Sequence, residues 1–259
     1  MFAKKSLGQN FLMHAQTAQR IALASGIGKG STVLEIGPGT GMLTRELLAL
    51  AQKVVAIEAD HSLIPALTET FAHEVATGRL VLIQGDVRSF DSTTIHEPYD
   101  LVANIPYYIT GEIIRQFLTA PHKPGSMTLL VQKEVAVRIC RDPKESLLSL
   151  SVKAFGTPAY RFTVPRGAFR PAPNVDSAVI SITGIKQDAF QTPEEELFFF
   201  EVLRAGFSQK RKRLAKNLEQ IAPKEGIESA FASMGLSLNT RAETVSEHVW
   251  RALAATLKR

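Results

Sequence analysis

Four apolar segments of this chain each run into a glycine loop, an acid or an asparagine, and this repeated ending constrains the fold most strongly. The segments lie near residues 32–36, 54–58, 80–84 and 100–104, with helical patterns between them. Strands that alternate with helices in this way are typical of a parallel, doubly wound α/β sheet. Because ligands of open α/β sheets bind outside the carboxyl ends of the strands, we expect a ligand site at these four endings.

Two further segments extend the predicted sheet. Residues 127–133 continue the alternation, and Ser177–Thr183 is an alternating segment that we expect at the antiparallel edge. Strand signals stop after about Gln187. The sequence therefore predicts an α/β domain over residues 1–186 and a small helical domain over residues 187–259.

The helical domain has a clear predicted start. Thr192, Pro193 and Glu195 have the positions of an N-cap, a first-turn proline and a capping-box acid. They predict a long helix, and two shorter helices are expected near Ile227–Met234 and Val245–Leu257.

The glycine loop after the first strand favours an adenosyl-amino-acid ligand. A dinucleotide site needs Gly-x-Gly-x-x-Gly/Ala, but counting from Gly37 the third small position falls on Met42. Glycines at 37, 39 and 41 instead let a ligand lie against bare backbone, and the following helix favours a ligand carboxylate at its amino end. These features argue against NAD and FAD.

Acids follow the next two strands. Glu58 lies 21 positions after Gly37, where a carboxylate can accept hydrogen bonds from both hydroxyls of a ribose. Asp86 follows Gly85 and can accept from an adenine amino group. Either acid alone is more often a solvated loop residue, and the ordered series of endings favours the ligand site.

The fourth strand ends in Asn104-Ile105-Pro106-Tyr107, which is suited to holding an exocyclic amine. The lone pair of such an amine is delocalised into the base, so hydrogen-bond acceptors are needed to draw the nitrogen towards tetrahedral geometry. Asn104 offers its side-chain oxygen, and Pro106 biases Ile105 to an extended conformation in which its carbonyl can accept. Tyr107 offers a flat face for a flipped base. The alternative is a strand that ends at a proline turn.

A basic cluster indicates a polyanionic partner. The chain has a net charge of +5, and six basic residues without an acid lie between Arg204 and Lys216. The core of this cluster is Lys210, Arg211, Lys212 and Arg213. A solvated helix face is the alternative, but an amine-modifying site makes phosphate contacts of RNA the better interpretation. Five other basic residues are candidates for the same surface: Lys4, Lys5, Arg161, Arg166 and Arg170.

Other features narrow the class of protein. The single cysteine, Cys140, excludes an intrachain disulfide, and the six histidines have no close metal-ligand spacing, so we expect no metal. No apolar run has membrane-spanning length and no signal peptide is evident, so we expect a soluble, cytoplasmic protein.

With these motifs in place, the chain resembles the ribosomal RNA adenine dimethyltransferases, which use S-adenosylmethionine. The resemblance covers nearly the whole chain. It rests on an amino-terminal signature, a cofactor loop, a catalytic motif and three later segments: residues 4–12, 35–41, 104–107, 131–135, 169–179 and 207–212. Where the family usually has Tyr-Gly, this chain has Leu147-Leu148. The fold implied is a Rossmann-like methyltransferase sheet with a small C-terminal helical domain.

The resemblance also implies roles for individual residues. The cofactor would contact Asn10, Leu12, Gly37, Gly39, Glu58, Asp86 and Asn104. The target adenine would lie among Asn104, Ile105, Pro106, Tyr107 and Phe169. Because Phe169 precedes a stiff proline segment, we expect its ring at the cleft mouth, opposite Tyr107.

The expected activity is dimethylation at N6 of two adjacent adenosines in a hairpin near the 3′ end of small-subunit (16S) ribosomal RNA. The expected protein is a monomer that acts on the pre-mature small ribosomal subunit and contributes to its biogenesis. One alternative is a large-subunit adenine methyltransferase of the macrolide-resistance type; the amino-terminal signature and residues 174–179 favour the small-subunit enzyme. A second alternative is a non-catalytic ribosome-assembly factor, against which the intact site residues speak.

Overall fold

The structure is a computed structural model that describes Lys4 and residues 8–258. Within the amino-terminal signature, Lys5, Ser6 and Leu7 lie outside the described residues, and so does the proposed contribution of Lys5 to a basic surface.

The chain divides into two compact units. The first comprises the described residues of Met1–Val137 together with Gly156–Gln187, and the second comprises Arg138–Phe155 and the described residues of Asp188–Arg259. The predicted boundary near residue 187 agrees with one of these divisions, but the structure assigns residues 138–155 to the second unit. The prediction, which follows the order of the chain, groups this segment with the α/β domain.

The first unit contains a seven-stranded sheet whose strands are, in chain order, β2 (Thr32–Ile36), β3 (Lys53–Glu58), β4 (Leu80–Gln84), β5 (Tyr99–Asn104), β6 (Met127–Gln132), β7 (Thr157–Val164) and β9 (Ser177–Thr183). Their order in space is β4-β3-β2-β5-β6-β9-β7. The first five strands are parallel, β9 runs antiparallel to them, and β7 pairs antiparallel with β9. The predicted Rossmann-like sheet is confirmed.

One strand position differs from the prediction. Ser177–Thr183 is antiparallel as expected, but it lies inside the sheet because β7 pairs along its other side. The β7 segment contains Pro158 and Arg161 and is only half-buried, so it lacks the apolar alternation of an inner strand. Those features are typical of an edge strand, where an unpaired side tolerates proline.

Helices and a small second sheet cover the main sheet of the first unit. The helices are α1 (Ala15–Ala24), α2 (Met42–Leu50), α3 (Ile64–Thr70), α4 (Ala72–Ala76), α5 (Thr110–Leu118) and α6 (Lys133–Cys140), whose last residues belong to the second unit. Strands β1 (Phe11–Leu12) and β8 (Phe169–Arg170) pair antiparallel, with Leu12 opposite Phe169. Apolar side chains of α1, α2 and the sheet form one continuous core.

The second unit is helical, with α7 (Leu147–Lys153), α8 (Pro193–Gly206), α9 (Leu214–Leu218), α10 (Lys224–Ser233) and α11 (Glu247–Leu257). The Thr192 hydroxyl caps α8 by accepting from the Glu195 backbone N–H at 3.2 Å. The Glu195 carboxylate accepts from the Gln191 backbone N–H at 2.8 Å, one residue before the position that a capping box requires. The Phe155 ring stacks on Phe200 with 6.1 Å between ring centroids, which places residues 138–155 with this unit.

Candidate active site

An open cleft of about 850 Å³, partly open to solvent, lies at the carboxyl ends of the parallel strands. It is lined by residues from all four predicted strand endings and from the amino-terminal arm, by which we mean Lys4 and residues 8–12. Among these residues are Asn10, Gly37, Gly39, Glu58, Asp86 and Asn104. Ile105, Pro106 and Tyr107 line the same cleft. The structure thus brings together most of the residues that the sequence singled out.

Leu12 and Phe169 lie elsewhere. Leu12 lines a smaller cavity of about 310 Å³ that shares Gly37, Gly39 and Asn104 with the large cleft. The Phe169 ring is only 2% exposed and packs in the apolar core. The structure therefore differs from the expectation of a ring at the cleft mouth, because pairing of β8 with β1 turns Phe169 inward. A stacking role for Phe169 stays a prediction that this conformation does not support.

The glycine loop allows the backbone to approach a ligand closely. Gly37 and Gly39 have φ angles of 67° and 59°, in the left-handed region that favours glycine. A Cβ built on Gly39 would lie 3.0 Å from Cδ1 of Phe11, whereas one built on Gly37 would meet nothing within 4 Å. Bare backbone at Gly37 therefore faces open space in the cleft.

Glu58 is a buried carboxylate held in a fixed orientation. Its Oε2 accepts the Gly39 backbone N–H at 3.0 Å, and its Oε1 accepts the Asp60 backbone N–H at 2.8 Å. Burial raises the pKa of Glu58 above its usual range. Each carboxylate oxygen keeps a further lone pair, so both can still accept a hydroxyl of a bound sugar.

The amino-terminal arm is tied to the loop that follows Glu58. Lys4 Nζ lies 2.6 Å from Asp60 Oδ1, and Gln9 Nε2 donates to Asp60 Oδ2 at 3.1 Å. Burial raises the pKa of Asp60, but hydrogen bonds from Lys4, Ser62 and Gln9 outweigh it and hold the pKa well below its usual range. The ionised Asp60 therefore keeps Gly8, Gln9 and Asn10 along the wall of the cleft.

Asp86 is engaged by a neighbouring cation. The Arg88 guanidinium donates to both carboxylate oxygens, with Nη2 2.5 Å from Oδ2, and the Arg88 backbone N–H also donates to Oδ1 at 2.9 Å. These hydrogen bonds lower the pKa of Asp86. Both side chains are about half exposed, so a ligand amino group can compete with Arg88 for the carboxylate.

The Asn104 side chain is oriented for accepting. Its Nδ2 donates to the Asn10 backbone carbonyl at 3.1 Å. A carbonyl can only accept, so this contact requires the amide nitrogen on that side and turns Oδ1 the other way. The oxygen is then available to accept from an amine.

Sequence reasoning missed Glu35, which lines the smaller cavity beside the glycine loop. Its side chain is 1% exposed, and Oε2 has no hydrogen-bond partner among the described residues. Burial, together with the nearby charge of Glu58, raises the pKa of Glu35 to about 8. A buried carboxyl oxygen without a partner is costly, and a cationic ligand group would satisfy it. The signal was present in the sequence as an acid inside the strand that leads to the glycine loop.

This donor set fits S-adenosylmethionine. The ligand has an ammonium group, a ribose and an adenine that need acceptors. The smaller cavity offers Glu35, whose Oε2 has no partner among the described residues, and the cleft offers the fixed Glu58 and the accessible Asp86. Two buried carboxylates with raised pKa values favour a ligand that brings positive charge.

The basic cluster lies in the second unit, in the turn between α8 and α9. Lys210, Arg211, Lys212 and Arg213 are all exposed. Arg213 Nη1 donates to Asn239 Oδ1 at 3.2 Å, and the nearby Lys216 forms an ion pair with Glu219. The cluster is therefore a cationic turn rather than a face along a helix.

Two features are absent from the described part of the chain. No group of three or more His, Cys, Asp or Glu side chains there could hold a metal ion. Within the same residues, no helix has the length and apolar character needed to cross a membrane.

Comparison with known sequences identifies close relatives. The family model described as ribosomal RNA adenine dimethylase matches residues 2–258. A ribosomal RNA small subunit methyltransferase A of Dehalococcoides mccartyi is 42% identical over 257 residues, which cover 97% of this chain and 87% of the relative. The protein of the same name from Listeria welshimeri is 38% identical, over 93% of this chain and 86% of the relative.

Solved structures show the same architecture. A dimethyladenosine transferase from Plasmodium falciparum matches with a TM-score of 0.80 and 26% identity, covering 94% of this chain and 95% of its own. The 23S rRNA methyltransferase ErmE matches with a TM-score of 0.77 and 26% identity, covering 96% of this chain and 100% of its own. Because the family model matches almost the entire length of the chain, the chain belongs to the ribosomal RNA adenine dimethylase family.

Proposed function

We propose that this protein transfers methyl groups from S-adenosylmethionine to N6 of two adjacent adenosines in a hairpin near the 3′ end of small-subunit ribosomal RNA, and that each adenosine is methylated twice. The observation that carries the proposal is the orientation of Asn104, whose side-chain oxygen is left to accept from an amine in a cleft that fits the cofactor. The relatives named as small-subunit methyltransferases support the choice of RNA.

Several residues would hold the cofactor. Glu58 would accept from the ribose hydroxyls, and Asp86 would accept from the adenine amino group once Arg88 moves aside. Glu35 would accept from the ammonium group. The backbone of Gly37 and Gly39, with Asn10 and Leu12 of the arm, would enclose the aminoacyl end.

The bound cofactor supplies an electrophilic methyl group. The protein then needs to hold the adenine amine in line with it and to draw the nitrogen lone pair out of conjugation. In the first transfer, Asn104 Oδ1 and the Ile105 carbonyl accept from the two amine hydrogens; in the second, the single hydrogen of the monomethylated amine binds one of these acceptors. Pro106 keeps the Ile105 carbonyl in place. Proximity and orientation carry the catalysis, and the amine loses its proton to solvent after transfer.

Tyr107 would stack on the flipped base. Its ring lines the cleft and is half-buried, and its hydroxyl forms a hydrogen bond with the Ser177 hydroxyl. Single-stranded loops of RNA present unstacked bases, which suits this mode of recognition. In the second unit, the turn formed by Lys210, Arg211, Lys212 and Arg213 would contact phosphates of the RNA.

The proposal extends to the setting of the enzyme: a cytoplasmic monomer that acts on the pre-mature small subunit during its biogenesis. Two alternatives differ in substrate or activity. The similarity to ErmE motivates the large-subunit alternative, but the relatives of higher identity are named small-subunit methyltransferases and support the proposed substrate. A non-catalytic assembly factor would keep the fold without transfer.

Methyl transfer to isolated ribosomal subunits that lack the modification separates these possibilities. We expect label in small subunits. Label confined to large subunits would favour the alternative substrate, and cofactor binding by calorimetry without transfer to either subunit would favour the assembly factor.

A further inference from the structure

The Tyr107 side chain is bound to a residue that lies 70 positions further along the chain. The Tyr107 hydroxyl and the Ser177 hydroxyl are 2.5 Å apart. Ser177 is completely buried, whereas Tyr107 is half-buried and lines the cleft. A ring of the amine-binding motif is thus held by a strand that contributes none of the proposed cofactor contacts.

Ser177 is itself held firmly. It opens β9, where it pairs with Gln132 of β6 on one side and with Val164 of β7 on the other. The preceding residue, Asp176, accepts the Lys133 backbone N–H at its carbonyl and the Arg166 backbone N–H at its carboxylate, each at 3.0 Å. The serine hydroxyl is therefore a fixed point at the end of the sheet.

Tyr107 lies on a less constrained element. It starts a three-residue 3₁₀ turn, Tyr107–Ile109, that follows Pro106 directly. A tyrosine side chain has three staggered wells about its first torsion, so its ring can leave the cleft unless a contact selects one of them. Stacking on a base requires the face of the ring, and a hydrogen bond at the far end of the ring selects the orientation that presents this face.

We propose that Ser177 is a positioning residue for methyl transfer, because its hydroxyl holds the Tyr107 ring in the orientation that stacks on the target adenine. This inference rests on the proposed function and adds a residue to it. Ser177 acts through Tyr107 and touches neither the base nor the cofactor. Its removal lowers the rate of transfer and leaves cofactor affinity unchanged.

Ser181 provides a matched control on the same strand. It lies four residues from Ser177, on the same face of β9, and is 1% exposed. Its hydroxyl accepts from Arg161 Nε at 2.6 Å, so Ser181→Ala also removes a hydrogen bond of a buried serine. A merely structural role for Ser177 predicts that Ser177→Ala and Ser181→Ala have the same effect on transfer.

The test compares kcat, KM, cofactor affinity and melting temperature for these two variants on small ribosomal subunits. For Ser177→Ala we expect kcat to fall about 10-fold, the upper range for one hydrogen bond, with cofactor affinity as in the unaltered chain. For Ser181→Ala we expect kcat within about 2-fold of the unaltered chain. We expect the two variants to change the melting temperature by similar amounts.

Tyr107→Phe removes the same bond from its other end and keeps the ring. If both residues act only through their shared hydrogen bond, the double variant Tyr107→Phe/Ser177→Ala is no slower than either single variant. Equal kcat for Ser177→Ala and Ser181→Ala, or additive losses in the double variant, would overturn the inference and leave the proposed function standing. Absence of transfer by the unaltered chain would instead overturn the proposed function, and the inference with it.

Discussion

At the scale of single residues, the polar groups in and around the cleft differ in whether they have hydrogen-bond partners, and this difference separates their roles. Glu58, Asp60 and Asn104 each have fixed partners, which set their orientation. Glu35 Oε2 has none among the described residues. A ligand group is expected where a buried polar atom lacks a partner, because an unsatisfied group costs free energy.

Glu35 gives a pH prediction. Its pKa, raised to about 8, means that the ligand-free protein keeps a proton there at neutral pH. The cofactor's ammonium group binds the ionised carboxylate better than the protonated acid, so cofactor binding should release this proton. Cofactor affinity should therefore rise as the pH approaches 8. Calorimetry in buffers with different ionisation enthalpies measures the proton directly.

Glu35→Gln is the control for this prediction. It keeps the shape of the side chain, removes the titration, and should weaken cofactor binding by about 10-fold or more, the scale of a lost charge-assisted hydrogen bond. Unchanged proton release and affinity in this variant would show that the cofactor does not use Glu35.

At the scale of elements, the end of α8 depends on a close approach to α11. A Cβ built on Gly206 would lie 2.3 Å from Cη2 of Trp250, whose side chain is completely buried. The Gly206 carbonyl also accepts from Asn217 Nδ2 at 2.6 Å. Glycine at this position therefore lets two helices and the following turn pack together.

Gly206→Ala should lower the free energy of unfolding by about 1–3 kcal/mol, because the indole must shift within a packed core. Gly226 is the control: it lies in α10, and a Cβ there meets nothing within 4 Å. Gly226→Ala should raise stability by about 0.5–1 kcal/mol through helix propensity. Denaturant unfolding compares the two, and equal effects would contradict the packing assigned to Gly206.

At the scale of the whole molecule, charge should govern RNA affinity. The chain carries a net charge of +5, and the cationic turn concentrates four positive charges in four consecutive residues. Replacing Lys210, Arg211, Lys212 and Arg213 with Gln should weaken RNA binding and reduce the slope of log affinity against log salt by about 3, if all four contact single-stranded phosphates.

Two lysines elsewhere in the second unit serve as controls for the salt slope. Lys144 and Lys224 are exposed and form ion pairs with Glu243 and Glu228. Replacing both with Gln should leave the slope nearly unchanged. A cationic-turn variant with the original salt slope would indicate a solvated surface instead of a phosphate contact.

The sequence was most informative where one local rule decides the outcome. Strand ends in a parallel sheet converge, so Glu58, Asp86 and Asn104 could be placed in one cleft without a structure. Phe169 was misplaced because a stiff proline segment does not reveal which way a neighbouring ring turns, and pairing of β8 with β1 decides it. Residues 138–155 were assigned to the wrong unit because contacts such as that of Phe155 with Phe200 join distant parts of the chain.

The most direct test of the account is nucleoside analysis of small ribosomal subunits after incubation with cofactor and either the unaltered chain or Asn104→Ala. We expect N6,N6-dimethyladenosine at two adjacent positions with the unaltered chain. For Asn104→Ala we expect turnover to fall about 100-fold, with RNA affinity retained, because the amine is no longer held in geometry for transfer. Dimethyladenosine formed equally well by Asn104→Ala, or formed only in large subunits by the unaltered chain, would contradict the account.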